Sequence, residues 1–239
     1  MNSVYREEKK YVITKDAYYR LRHKLSQVMH RDHNSEQNHY RYRKGDGYTI
    51  RSLYFDSLED RDFEEKIEGI ELRRKIRLRT YMHDPNFCLL EIKKKEGDNQ
   101  KKTSFRFTKE QGERLIRGEY QLLLEFNNPF LLECYYMIMQ HVYRPKSVVT
   151  YERDAFVAKE NKIRVTFDQA IRGTESNFNI FSEDLVENDF MDASLVVLEV
   201  KYNGFLLQYI KDLLEEVEQN QLSVSKYCLS RKISKHYML

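Results

Sequence analysis

Residues 71–81, ELRRKIRLRTY, decide how this chain is read. A β-strand sends alternate side chains to opposite faces. One face of this stretch receives Arg73, Lys75, Arg77 and Arg79. The other receives Leu72, Ile76, Leu78 and Thr80, with Arg74 as the exception. Wound as a helix, the same residues give no clean apolar stripe, because the basic side chains spread all round. A strand with a row of cations on one face is ordinary when that face meets water. A functional reading therefore depends on whether other strands repeat the pattern.

They do. Glu-x-Lys recurs on three further predicted strands, as Glu8/Lys10, Glu91/Lys93 and Glu199/Lys201. Arg51, Arg153 and Arg164 each add a cation to another. The strands are expected over Val4–Ile13, Tyr48–Asp56, Phe87–Lys95, Lys101–Phe107, Lys146–Phe156, Lys162–Ile171 and Leu195–Tyr202, with a short one near Phe178–Phe181. Turns are read at Asp84-Pro85-Asn86 and at Glu96–Asn99. Helices are expected from the cap at Thr14 to about Val28, over Leu58–Glu68, from the capping box Thr108/Gln111 to Gly118, from Pro129 to about His141, and over Phe205–Gln219. A short terminal segment starts at Ser225-Lys226-Tyr227. A free surface usually mixes charge signs, whereas these strand faces carry far more Lys and Arg than Asp and Glu. An antiparallel barrel lined with charge, its apolar exterior covered by helices, accounts for both features.

Composition narrows the class. The chain has 239 residues, 33% of them charged and 41% hydrophobic, with a formal net charge of only +3. A single domain spanning 1–239 is expected, and the overall charge does not call for specific nucleic acid. Cys88, Cys134 and Cys228 are odd in number and widely spaced, so neither a disulfide framework nor a zinc knuckle is indicated. His30, His33 and His39 lie in a polar stretch and read as a solvated loop, not a metal set. No apolar run approaches the roughly 20 residues of a membrane-crossing helix. The segment MNSVYREEKKY lacks the apolar core of a signal peptide. A cytoplasmic protein is expected.

A lining of Arg and Lys suits phosphate oxygens, and carboxylates among them suit a divalent metal that binds phosphate. No glycine-rich phosphate loop and no kinase signature is present, so side chains would have to hold a nucleotide. The order of short motifs resembles the VTC domain, the catalytic domain of the vacuolar transporter chaperone polyphosphate polymerase, within the triphosphate tunnel metalloenzyme superfamily. The motifs are Arg6-x-Glu8-x-Lys10-Tyr11, IRSLYFD at 50–56, IRLRTY at 76–81, LEIKKK at 90–95, TYERDAF at 150–156, IRVTFD at 163–168, LEVKYNG at 198–204 and SKY at 225–227.

The resemblance implies an α+β fold: an eight-stranded antiparallel tunnel with a charged interior and helices packed outside. It implies Arg77, Arg79, Lys93 and Lys226 as catalytic residues. Lys10, Arg51, Arg153, Arg164 and Lys201 would bind phosphate, with Lys102 or Arg106 joining them. Glu199 would hold Mn²⁺ or Mg²⁺, with Glu8 in support. ATP and polyphosphate would be the ligands. No membrane segment lies within these residues, so coupling to transport would need a membrane-protein partner. Arg6 stands where the triphosphatase and cyclase branch has the first glutamate of Glu-x-Glu-x-Lys, which favours polymerisation over hydrolysis. Hydrolysis of triphosphate or polyphosphate, and non-catalytic polyphosphate binding, use the same lining and remain alternatives.

Overall fold

The computed structural model of the chain describes residues 6–36, 47–97, 99–215, 220–221 and 225–236. Along the chain these form β1 (Arg6–Thr14), α1 (Lys15–Val28), β2 (His30–Arg31), α2 (His33–Glu36), β3 (Tyr48–Asp56) and α3 (Arg61–Ile67). Then come β4 (Arg73–Tyr81), β5 (Asp84–Glu96), β6 (Asn99–Thr108), α4 (Lys109–Ile116), a 3-10 helix over Tyr120–Phe126, and α5 (Pro129–Gln140). β7 (Arg144–Val157), β8 (Arg164–Thr174), β9 (Asn188–Asp189), β10 (Leu195–Asn203), α6 (Gln208–Glu215), β11 (Asn220–Gln221) and α7 (Lys226–His236) complete the order.

Local chemistry explains several boundaries. The Thr14 hydroxyl accepts from the Ala17 amide at 3.2 Å and starts α1. Thr108 and Gln111 form a reciprocal capping box on α4. Asn128 caps α5 and Pro129 occupies its first turn, where no donor is lost.

The chain divides into two compact units. The first comprises 1–49, 151–171 and 189–225, the second 50–150, 172–188 and 226–239. In the first unit the strand order is β11-β1-β10-β8-β7, with β2 added to β7 and β9 to β8. One face of these strands carries Ile13, Val165, Phe167, Leu198 and Val200, which pack with Leu21 and Leu25 of α1 and Ile210 and Leu214 of α6. In the second unit the order is β7-β3-β4-β5-β6. Leu53, Ile76, Leu78, Leu90, Ile92 and Phe107 pack there against Leu115 of α4, Leu122 and Leu123, and Leu131, Cys134 and Ile138 of α5. In each unit the helices take the apolar strand face and leave the charged face uncovered by this core.

The fold is thus α+β with a large antiparallel sheet, and the sheet does not close. Its order ends on the two-residue β11 and on β6, and among the described residues no pairing joins these ends. The closed eight-stranded barrel is therefore not what the strand pairing gives.

Smaller expectations also change. The turn after β4 falls on Met82-His83, and Asp84 already pairs with Tyr81. Pro85 sits near the start of β5, where a missing N–H is tolerated. Phe178–Phe181 is not a strand. The side-chain carbonyls of Asn177 and Asn179 accept from the amides two residues on, at 2.9 and 3.1 Å, and curl the backbone. The segment at 226 is an eleven-residue helix. Helices α3 and α6 start three residues later than expected, and His39 and Asp98 lie outside the described residues. The three cysteines are buried and free. No helix among the described residues is long and apolar enough to cross a membrane.

Candidate functional site

In the second unit the pleat separates β4 as the alternation requires. Ile76 and Leu78 enter the core, and Arg77 and Arg79 take the other face. Strand register builds that face into rows. Ser52, Arg79, Leu89 and Arg106 form one; Tyr54, Arg77, Glu91 and Ser104 the next; Lys75, Lys93 and Lys102 the third. Arg77, Arg79, Lys93 and Lys102 therefore share one surface. Arg106 shares it too, with its guanidinium lying over the Phe87 ring at 3.8 Å.

Glu91 is the hub of this surface. It is 1% exposed, with Arg77 Nε at 2.6 Å, Lys102 Nζ at 2.6 Å and Arg79 Nε at 3.7 Å. Burial alone would raise its pKa. The charges of Arg77, Arg79 and Lys102 outweigh burial and hold the carboxyl well below the usual range. The Tyr54 phenol receives Arg77 at 3.4 Å, and its pKa is lowered: burial pushes it up, but Arg77 and Lys75 prevail. Arg79 Nε is buried beside Glu91 with no hydrogen-bond acceptor among the described residues. Lys226 opens α7, and the adjacent Tyr227 stacks on Tyr54 at 5.1 Å with the Lys75 ammonium 6.0 Å from its ring. The Glu-x-Lys spacing put Glu91 beside Lys93 in the sequence. Its role as shared counterion comes from cross-strand register.

Arg51 departs from the expected lining. It pairs with Thr80, on the helix-covered face. Its guanidinium donates to Thr150 Oγ1 at 3.1 Å and to the carbonyls of Ile180 and Ser182 at 3.1 and 2.5 Å. Desolvation is the main cause lowering its pKa. Arg51 anchors the 180–182 segment and does not share a surface with Arg77.

In the first unit β1, β10 and β8 present a second charged face. Its rows are Glu8, Lys201 and Arg164, then Lys10, Glu199 and Thr166, then Val12, Val197 and Asp168. Lys10 Nζ lies 2.9 Å from Glu8 and 3.8 Å from Glu199, and Lys201 also pairs with Glu199. Arg153 joins this face through Asp168. Arg164 donates to Asp32 at 2.5 Å and to the Tyr48 hydroxyl at 3.0 Å. The Thr166 hydroxyl, beside Glu199, is buried with no hydrogen-bond partner. Glu8 and Glu199 thus share the Lys10 ammonium as counterion. One or two carboxylates completed by phosphate oxygens is the usual donor set of Mg²⁺, and these residues fit it. No cluster of three or more His, Cys, Asp or Glu suited to a metal occurs among the described residues.

Residues 5–235 match the model of the VTC domain. The chain belongs to the VTC domain family. No curated protein matches it in sequence. Solved structures with the same fold include a putative adenylyl cyclase from Hippeastrum, reported to have a dominant triphosphatase activity. It is 11% identical, with TM-score 0.56 and 94% of each chain covered. A putative adenylate cyclase from Bacillus halodurans is 11% identical, with TM-score 0.51 over 92% of this VTC domain and 95% of that chain. One from Vibrio parahaemolyticus is 13% identical, with TM-score 0.50 over 96% and 99%. At these identities the likeness is one of fold alone.

Proposed function

We propose that this protein is a metal-dependent polyphosphate polymerase that transfers the γ-phosphoryl group of ATP to a growing phosphate chain. The observation that carries the reading is the surface of Arg77, Arg79, Lys93 and Lys102, for which Glu91 is the shared counterion. Such a surface calls for an anion with several charges in a row. Membership of the VTC domain family supports a chain of phosphates as that anion. The single domain and the cytoplasmic setting expected from the sequence belong to the same reading.

In this reading Arg77, Arg79 and Lys93 hold the phosphates through the transfer, and Lys226 holds the terminal one. Lys10, Lys201, Arg153 and Arg164 bind further phosphates. Glu199, with Glu8, would hold Mn²⁺ or Mg²⁺, which would neutralise charge on the phosphate oxygens. Phosphoryl transfer needs little covalent help from a protein, so positioning and charge neutralisation are its task. A terminal oxygen of the chain forms the new P–O bond, the bond to the bridging oxygen of ATP breaks, and ADP leaves.

Incubation with ATP and Mn²⁺, followed by gel analysis, should yield polymer and ADP. Glu199→Gln should abolish turnover and leave the fold intact. Full activity in that variant would remove Glu199 from the site. The second reading is triphosphate hydrolysis, favoured by the activity reported for the Hippeastrum neighbour. Release of orthophosphate without polymer would select it.

A further inference from the structure

Beyond Arg77 the basic surface of the second unit continues toward the tip of the β5–β6 hairpin. Along it every cation faces another: Arg73 opposes Lys95, Lys75 opposes Lys93, and Lys93 opposes Lys102. Like charges directly opposite one another destabilise a sheet. On the reverse face of the same strands Arg74 opposes Lys94, which opposes Lys101, but there Glu133 pairs with Lys94. On the Arg77 face, over Arg73–Arg79, Leu89–Lys95 and Gln100–Arg106, Glu91 is the one carboxylate. The Arg73 guanidinium donates to the Ile70 carbonyl at 2.6 Å, and Lys95 has no partner among the described residues.

Resting on the proposed function, we infer that Arg73 and Lys95 form an outer binding track for a bare phosphate chain, continuing the chain held at Arg77, Arg79 and Lys93. Arg73 lies about 13 Å from Arg77 along the strand, at roughly 3.3 Å per residue. Three phosphates centred on Arg77 do not reach it, and a longer chain does. The described residues from Lys93 to Lys102 include no aromatic side chain on which bases could stack, unlike single-stranded nucleic acid sites. A chain of phosphates without bases fits what is there.

The test compares tripolyphosphate with a long polyphosphate by calorimetry, at matched ionic strength. The wild-type protein should bind the long chain about tenfold or more tighter per molecule, because linked contacts reinforce one another. The double variant Arg73→Gln/Lys95→Gln should lose that gain and keep tripolyphosphate affinity, with a melting temperature no lower than the parent's. Lys101→Gln, an exposed cation on the reverse face, should keep it. The salt dependence of long-chain binding should fall by about two in the double variant, one for each phosphate contact removed. A length gain that survives in the double variant, or falls as much in Lys101→Gln, overturns the track. Single-stranded DNA of equal charge binding as tightly as polyphosphate overturns the assignment to a bare chain. Failure of the wild-type protein to bind tripolyphosphate strikes the proposed function instead, so the two failures are told apart.

Discussion

Arg153 donates to both oxygens of Asp168, Nε to Oδ1 at 2.6 Å and Nη2 to Oδ2 at 2.7 Å, with both side chains buried. The pairing raises the Arg153 pKa: burial opposes the charged form, and the Asp168 carboxylate more than compensates. A phosphate reaching Arg153 therefore meets a guanidinium with one edge already committed. Removing the cation would take its bidentate partner from the buried Asp168 carboxylate, which costs about 3–5 kcal/mol. Arg153→Ala should show that loss in urea unfolding without any ligand. Replacing both residues by apolar ones of similar volume should recover much of it. A single variant as stable as the parent would show that the pair contributes little and leave Arg153 to ligand alone.

Glu91 competes with any anion for Arg77, Arg79 and Lys102. Glu91→Gln should destabilise the free protein by less than the cost of breaking a fully buried pair, because Lys102 is half exposed and screened. Triphosphate should then raise the melting temperature more in the variant than in the parent. The parent's depressed carboxyl pKa stabilises it above the unfolded value near 4.3, and that contribution is lost as pH falls through the lower folded value. Acid titration of stability should thus be shallower in the variant. An equal or smaller triphosphate shift would show that Glu91 orients the cations instead of competing for them.

Asp62 behaves in the opposite sense. Burial, then the neighbouring Asp56, raise its pKa to about 7, against the lowering effect of the Tyr143 hydroxyl that donates to it at 2.7 Å. The folded state holds this proton where the unfolded chain has lost it, so stability falls as pH rises from about 4 to about 7. Asp62→Asn should flatten that slope in denaturant titrations across the range. An unchanged slope would place the proton elsewhere.

Arg51 should act on the fold, not on the ligand. Arg51→Met removes three hydrogen bonds to Thr150, Ile180 and Ser182. A lower melting temperature and faster proteolysis near 180–182 should follow, while the folded fraction binds triphosphate as before. A binding defect at unchanged stability would return Arg51 to the site.

The contrast between Arg51 and Arg77 marks how far sequence reading reached. Alternation places Arg77 and Arg79 opposite Ile76 and Leu78 because a strand's period is a local property. The caps at Thr14 and Thr108 were legible for the same reason: each partner lies within three residues. By its alternation Arg51 belongs with Leu53 and Phe55, the apolar face, and its acceptors lie about 130 residues away. No local pattern announces that a buried arginine is held by carbonyls. Glu91 was visible as one of three Glu-x-Lys pairs, but only the β4–β5–β6 register makes it the residue on which three cations converge. The helix α7 was missed because its buried positions include Tyr227, Cys228 and Ser230 among many basic residues, which dilutes the apolar stripe.

That helix bears on the timing of synthesis. Tyr227 donates to Asp56 at 2.6 Å, Arg231 to Asp60 at 2.7 Å and Lys235 to Glu64 at 2.6 Å, each bridging 171 residues of sequence. Asp56 is buried, and burial raises its pKa against the Tyr227 hydroxyl and the amides that donate to it. On the ribosome, residues 56–64 emerge long before residues 226–236. Closing so distant a contact is slow, and at about 5–20 residues per second the wait lasts roughly ten to thirty seconds. For that interval a nascent chain presents Asp56, Asp60 and Glu64 without their partners on α7. A chaperone that shields the face of α3 would have its window then, and release of residues 226–236 from the exit channel would end it.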